Sequence, residues 1–225
     1  MPPRFSLVLF DLDGTLVDTA EDIAAALNAA LDDRGFPTLP TESVVGYIGN
    51  GATRLVQRAL PPAADAAPAD EADLVRRFKA HYAANVCVRS RIYPGIAEML
   101  ARLPPAVSLA VLTNKPGDLA RPLLEALGIA GRFQHIIGEG DGFARKPAPD
   151  AAQWLMRQHG VAPDAALLVG DGLPDVQVAR AAGCPVAAAT WGYTTRAALS
   201  AEQPTFIVDT PAAVAQLILT DGLSS

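Results

Sequence analysis

Lysine is scarce in this chain of 225 residues: Lys79, Lys115 and Lys146 stand beside 15 arginines. Cysteine is scarcer still, with Cys87 and Cys184 far apart. Two scattered thiols do not make a disulfide scaffold and read as reduced packing residues. No apolar run approaches the roughly 18–20 residues that a membrane span requires. The apolar part of the opening MPPRFSLVLFDLDG is too short for a secretion signal before carboxylates interrupt it, so a cytoplasmic protein with no membrane partner is expected. Basic charge is not in excess either. The balance is 24 acidic against 18 basic side chains, net −6, which argues against nucleic acid as a partner. His/Cys spacings typical of zinc sites are missing, and so is the Gly-x-Ser-x-Gly elbow of serine hydrolases.

What is present is a globular composition. Half the residues are hydrophobic, enough for a sizeable core, and 43 alanines favour helix. Short apolar runs bounded by Gly, Pro or Asp occur at 7–10, 107–112, 135–137, 167–169 and 186–189, with a further candidate at 206–208. Such runs suit strands of a parallel sheet covered on both faces. Helix-period segments lie between them at 94–103, 116–127, 150–159, 174–182 and 211–219. Leu127-Gly128 and His159-Gly160 read as helix ends, where the dipole would favour a charged His159. The alternation predicts an α/β fold with a doubly wound, mostly parallel sheet.

The stretch 17–90 breaks that rhythm. It holds no convincing strand, and Ile23, Leu27, Ala30 and Leu31 share one helical face, as do Leu55, Val56, Ala59 and Leu60, and Leu74, Val75, Phe78 and Tyr82. The predicted organisation is a discontinuous α/β core of residues 1–16 and 91–225, with a helical cap of residues 17–90 inserted. The Ala/Pro-rich segment 60–68 reads as a loop within that cap.

Ligand sites in open α/β sheets form beyond the carboxyl ends of the strands. The first run is followed by Asp11-Leu12-Asp13-Gly14-Thr15, the second by Thr113-Asn114-Lys115, the third by a glycine-rich loop leading to Lys146-Pro147, and the fourth by Gly170-Asp171-Gly172-Leu173-Pro174-Asp175. In extended chain, Asp11 and Asp13 point the same way. Crowded carboxylates repel one another unless a cation neutralises them, and Mg²⁺ suits few carboxylates plus phosphate oxygens. Thr113 and Asn114 can hydrogen-bond a phosphate, and Lys146 adds a compact positive charge. Two of the three lysines therefore fall at predicted strand ends. The parts suit phosphoryl transfer, with one carboxylate attacking phosphorus and another handling protons. Gly138-Glu-Gly-Asp-Gly142 does not open a helix in a first βα unit, so it reads as a loop rather than a dinucleotide site.

FDLDGTLVDT (10–19), LTNK (112–115), KP (146–147) and VGDGLPD (169–175), in this order, resemble the four motifs of the haloacid dehalogenase superfamily. The resemblance implies a Rossmann-like core, an inserted helical cap and Mg²⁺ dependence. It further implies that Asp11 is the nucleophile and Asp13 the acid and base, and that Mg²⁺ is held by the Asp11 carboxylate, the Asp13 carbonyl and Asp171. Thr113 and Lys146 would bind the phosphoryl group, and Asp175 would support the metal or orient Lys146. Within the superfamily, Asp13 distinguishes phosphoryl chemistry from dehalogenation, which needs no leaving-oxygen acid.

Segments 46–60, 113–116 and 181–195 resemble the phosphoglycolate phosphatase branch, in which a Gly-Asn-Gly loop of the cap, here Gly49-Asn50-Gly51, faces the site. The expected partner is a small phosphate monoester, most simply 2-phosphoglycolate. Another small phosphorylated acid or sugar, such as N-acetylmuramate 6-phosphate, or phosphomutase chemistry, are the alternatives. A monomer or homodimer is expected.

Overall fold

The computed structural model describes residues 3–60 and 68–219. The expected loop at 60–68 lies largely outside the described residues. Six strands form one parallel sheet: β1 (Leu7–Phe10), β4 (Ser108–Pro116), β5 (His135–Glu139), β6 (Ala166–Gly170), β7 (Val186–Ala189) and β8 (Phe206–Val208). Their spatial order is β5-β4-β1-β6-β7-β8. The chain moves outward from β1 through β4 to β5, then crosses back to β6 on the other side of β1. That reversal opens a crevice at the carboxyl ends of β1 and β6, the place where such sheets bind ligands.

The sequence LVLF makes β1 a central strand because every residue is apolar and buried. Period-two alternation sends Val8 and Phe10 to one face and Leu7 and Leu9 to the other. The first face packs on α5 (Ile96–Arg102), α6 (Gly117–Ala126) and α10 (Pro211–Leu219) through Met99, Leu123 and Val214. The second packs on α7 (Asp150–His159) and α8 (Leu173–Ala182) through Leu155 and Val178. Helices on both faces make the sheet doubly wound, as expected. α7 and α8 stop at Gly160 and Gly183, both in the left-handed region. A short helix, α9 (Arg196–Ala201), was not anticipated; it starts at Thr195, whose hydroxyl accepts from Ala198 N.

Between β1 and β4 lie α1 (Ala20–Asp32), α2 (Thr41–Val45), α3 (Gly51–Ala59) and α4 (Pro68–Ala84). They bury a core of their own, including Ile23, Leu27, Leu55 and Phe78. Leu119 of α6 joins that cluster from the sheet side. The stretch is not strand-free. β2 (Val17–Asp18) pairs antiparallel with β3 (Arg91–Ile92), a two-residue ladder too short to show periodicity in sequence. The buried Asp22 carboxylate reinforces this neck by accepting from the backbone amides of Val88, Arg89 and Ser90 and from the Ser90 hydroxyl. Although burial works against its charge, these donors hold its pKa below the ordinary value.

Candidate active site

Strand register sets the site. Phe10 lies opposite both Val111 of β4 and Val169 of β6, so the residues that follow each leave the sheet at one level. The pairing of β4 with β5 shifts register between Leu112 and Pro116. Such an irregularity re-aims side chains, and it falls on Thr113, Asn114 and Lys115.

Asp11, Asp171 and Asp175 are buried, and each offers an oxygen within 4.8 Å of the others. Lys146 Nζ stands 2.9 Å from Asp11 Oδ1 and donates to Asp175 Oδ1 at 2.6 Å. Thr15 Oγ1 donates to Asp171 Oδ1 at 2.7 Å, Tyr193 N to Asp171 Oδ2 at 2.8 Å, and Gly172 N to Asp175 Oδ2 at 2.9 Å. Two glycines let the backbone come this close. A Cβ on Gly14, whose φ is +87°, would stand 2.4 Å from Asp171 Oδ2, and one on Gly192 would stand 2.3 Å from it.

The electrostatics describe a site short of positive charge. Burial and the Asp175 charge raise the Asp11 pKa to about 6, against the pull of Lys146. Burial and the Asp11 charge raise Asp171 to about 8. Burial also disfavours the Lys146 ammonium, but Asp11 and Asp175 outweigh it and push the lysine pKa up. Among the described residues, the buried cations beside Asp11, Asp13, Asp171 and Asp175 are Lys115 and Lys146, so these buried groups leave two formal negative charges over. An all-oxygen donor set with that deficit fits a hard divalent cation.

Asp13 serves a different neighbourhood. Its Oδ1 accepts from Thr19 Oγ1 at 2.8 Å and from Lys115 Nζ at 3.0 Å. Lys115 is itself buried and lies 4.1 Å from the centre of the Tyr82 ring, contributed by α4. Asp11 and Asp13 line two chambers. The inner one, about 40 Å³, is walled by Ile23, Ile48, Leu55, Phe78 and Leu119, and Thr113 and Lys115 enter it. The outer one, about 380 Å³, is bordered by Asp171, Asp175, Arg58 and Tyr193. Gly49 touches both, Gly51 the inner and Asn50 the outer.

The structure therefore gathers Asp11, Asp13, Thr113, Lys146, Asp171 and Asp175, with the loop 49–51 across them. Thr113 Oγ1 accepts from Lys115 N at 3.1 Å, which leaves its own proton to donate. Asn114 Nδ2 donates to Gly49 O at 3.0 Å and to Lys146 O at 3.2 Å, and its Oδ1 accepts from Lys146 N at 2.9 Å. Both amide protons go to backbone, so Asn114 ties Lys146 to the loop 49–51. Arg145 adds a second tie, donating from Nη1 to Asn50 O at 3.1 Å. His159 departs from expectation: burial, aided by the neighbouring His135, lowers its pKa.

Several participants went unread in the sequence. Thr15 and Thr19 stand inside the first motif and Tyr193 inside WGYTT, yet nothing local shows that they meet Asp171 and Asp13. Lys115 carried the signal of its scarcity but no partner. Trp191 donates from Nε1 to Thr15 O at 3.0 Å and anchors the same loop.

The profile of the haloacid dehalogenase-like hydrolases matches residues 8–189. The chain belongs to that family. It is 39% identical over 209 residues to the phosphoglycolate phosphatase of Aliivibrio fischeri, covering 90% of this chain and 92% of that one. It is 38% identical over 219 residues to the phosphoglycolate phosphatase of Escherichia coli strain K12, covering 89% and 87%. A Haemophilus somnus structure described as a predicted phosphoglycolate phosphatase superposes with a TM-score of 0.89 at 35% identity, over 95% of this chain and 98% of that one. The chain is thus a phosphoglycolate phosphatase-like phosphatase, and its buried acidic cluster is where a divalent metal of this family fits. No helix among the described residues is long and apolar enough to cross a membrane.

Proposed function

We propose that the chain is a Mg²⁺-dependent phosphate monoester hydrolase whose substrate is 2-phosphoglycolate, released as glycolate and inorganic phosphate in the cytoplasm. The observation that carries the reading is the division of labour between the two aspartates of the first motif. Asp11 lies among the acidic cluster with Lys146 on its Oδ1, while Asp13 is held apart on Lys115 and Thr19. The curated relatives supply the choice of substrate.

In this reading the carboxylates of Asp11 and Asp171 and the Asp13 carbonyl hold the metal, with Asp175 beside them. Bound Mg²⁺ supplies the positive charge that lets an anionic carboxylate approach an anionic phosphoryl group. An oxygen of Asp11 attacks phosphorus as the phosphorus–alcohol oxygen bond breaks, giving an aspartyl-phosphate. The Asp13 carboxyl donates its proton to the departing oxygen. The resulting carboxylate then takes a proton from water as that water attacks phosphorus and frees Asp11. Lys146 neutralises charge on Asp11 and on the phosphoryl oxygens, and the Thr113 hydroxyl donates to them. The glycine loop 49–51 closes the site against bulk water.

The test is phosphate release from a panel of phosphate monoesters with Mg²⁺. Fastest turnover of 2-phosphoglycolate is expected. Isomerised sugar phosphate without phosphate release, or faster release from N-acetylmuramate 6-phosphate, would refute the assignment.

A further inference from the structure

Lys115 is the one cation among the described residues that line the inner chamber. It is buried and forms an ion pair with Asp13. An ammonium has three donors. One of them meets Asp13 Oδ1 at 3.0 Å, and the nitrogen rests over the face of the Tyr82 ring. A further N–H is available to the chamber, whose walls are otherwise largely apolar. A lysine kept only to balance Asp13 has no need to border that space.

We propose that Lys115 is a specificity residue that binds the carboxylate of the leaving group. This rests on the phosphatase reading above and assigns the group that reads the acid. The oxygen that Asp13 protonates and the carboxylate of a glycolate unit are separated by one methylene. A cation in contact with Asp13 is therefore within reach of both. Gly51 and Ala52 bring the amino end of α3 to the same chamber, which also favours an anion there. Asp11, Asp13 and the apolar wall leave a neutral or extended leaving group without a charged partner. The substrate class is therefore a short phosphorylated carboxylic acid.

The experiment compares kcat/KM for 2-phosphoglycolate and for 2-hydroxyethyl phosphate, which has an alcohol in place of the carboxylate. The wild type should favour the acid by about 30-fold or more, the strength of one charge-assisted hydrogen bond. Lys115→Met should collapse that preference to within about threefold, whatever it does to both rates, whereas Lys115→Arg should keep most of it. If Lys115→Met slows both substrates equally and the preference persists, Lys115 serves Asp13 alone; the specificity assignment is overturned while the 2-phosphoglycolate reading stands. A wild type without preference overturns both, and one that releases phosphate from no monoester overturns the phosphatase reading itself. Should Lys115→Met fail to fold, inhibition of the wild type decides: glycolate must compete with substrate at concentrations at least about tenfold below ethylene glycol, and equal potency refutes the proposal.

Discussion

Two clusters of charged side chains in this molecule use the same chemistry and do opposite things. At the carboxyl end of the sheet, Lys146 bridges Asp11 and Asp175 with side chains that are 9% exposed or less. On the outside of the cap, Arg34 bridges Asp70 and Asp73 at 2.5 and 2.7 Å, and Arg77 joins Asp73 to Asp33, to which His81 also binds. The cap network has more ion pairs, and Arg34 is 29% exposed at its side chain. Arg76 also pairs with Asp73, so three arginines face three aspartates; these charges balance locally and water screens them, so each pair contributes little. The buried cluster has fewer pairs, is not balanced, and shifts its own carboxylates upward. Ion pairing as such marks nothing; a buried deficit of positive charge marks a candidate functional site.

The comparison breaks first at Asp11. Asp11→Asn should lower kcat by at least about a thousandfold, because it removes the attacking oxygen while keeping the shape. Steady-state phosphate release checks it, with circular dichroism to show the fold intact. Substantial remaining turnover would mean that the nucleophile lies elsewhere.

A sharper contrast comes from stability. The folded pKa of Asp171 is about 8 against an ordinary 3.8, so folding favours its protonated form. The metal-free protein should therefore lose stability as pH rises from about 4 towards 8. Asp171→Asn removes that penalty. Thermal melts of chelator-treated protein at pH 7.5 should show the variant melting above wild type. Added Mg²⁺ should raise the wild-type Tm and leave the variant's nearly unchanged. A variant that melts lower in the metal-free state would contradict the charge-deficit account.

The cap network should yield the smallest effect. Arg77 and Arg34 hold the Asp73 pKa down to about 2, so its contribution is present above the ordinary carboxylate range and fades as pH falls through that range. Asp73→Ala should lower Tm by at most about 2 °C at low salt and by less in about 0.5 M salt, as differential scanning calorimetry would show. A large, salt-independent fall would place this network with the buried one.

Much of the fold was readable along the chain. Runs such as LVLF and ALLVG sit at the sheet centre because both faces are covered, and Gly128 and Gly160 follow the ends of α6 and α7 where expected. The β2–β3 neck was not readable, since two residues carry no period, and neither was the short α9. In the site, Asp11, Asp13, Lys146, Asp171 and Asp175 announced themselves by following strands in order. Asn114 has the chemistry of a phosphate donor in sequence, but its amide already has backbone partners. His159 misled because the dipole argument is local and burial is not.

The order of apolar runs and the identity of the residues after each of them belong to the sequence alone. They determine a doubly wound sheet, because parallel strands covered on both faces need apolar runs joined by helices. They also determine which side chains gather at its carboxyl edge. Only the tertiary structure decided how those side chains share their protons and charges. Thr15 and Thr19 settle on different aspartates, Lys115 pairs with Asp13, and Lys146 pairs with Asp11 and Asp175, while Asp171 has no lysine partner among the described residues. Tyr82 of α4 meets Lys115 of β4 across a long separation in sequence. The reason is range: periodicity and capping act over a few residues, whereas hydrogen bonds and buried charge depend on distances that exist only once the chain has closed on itself.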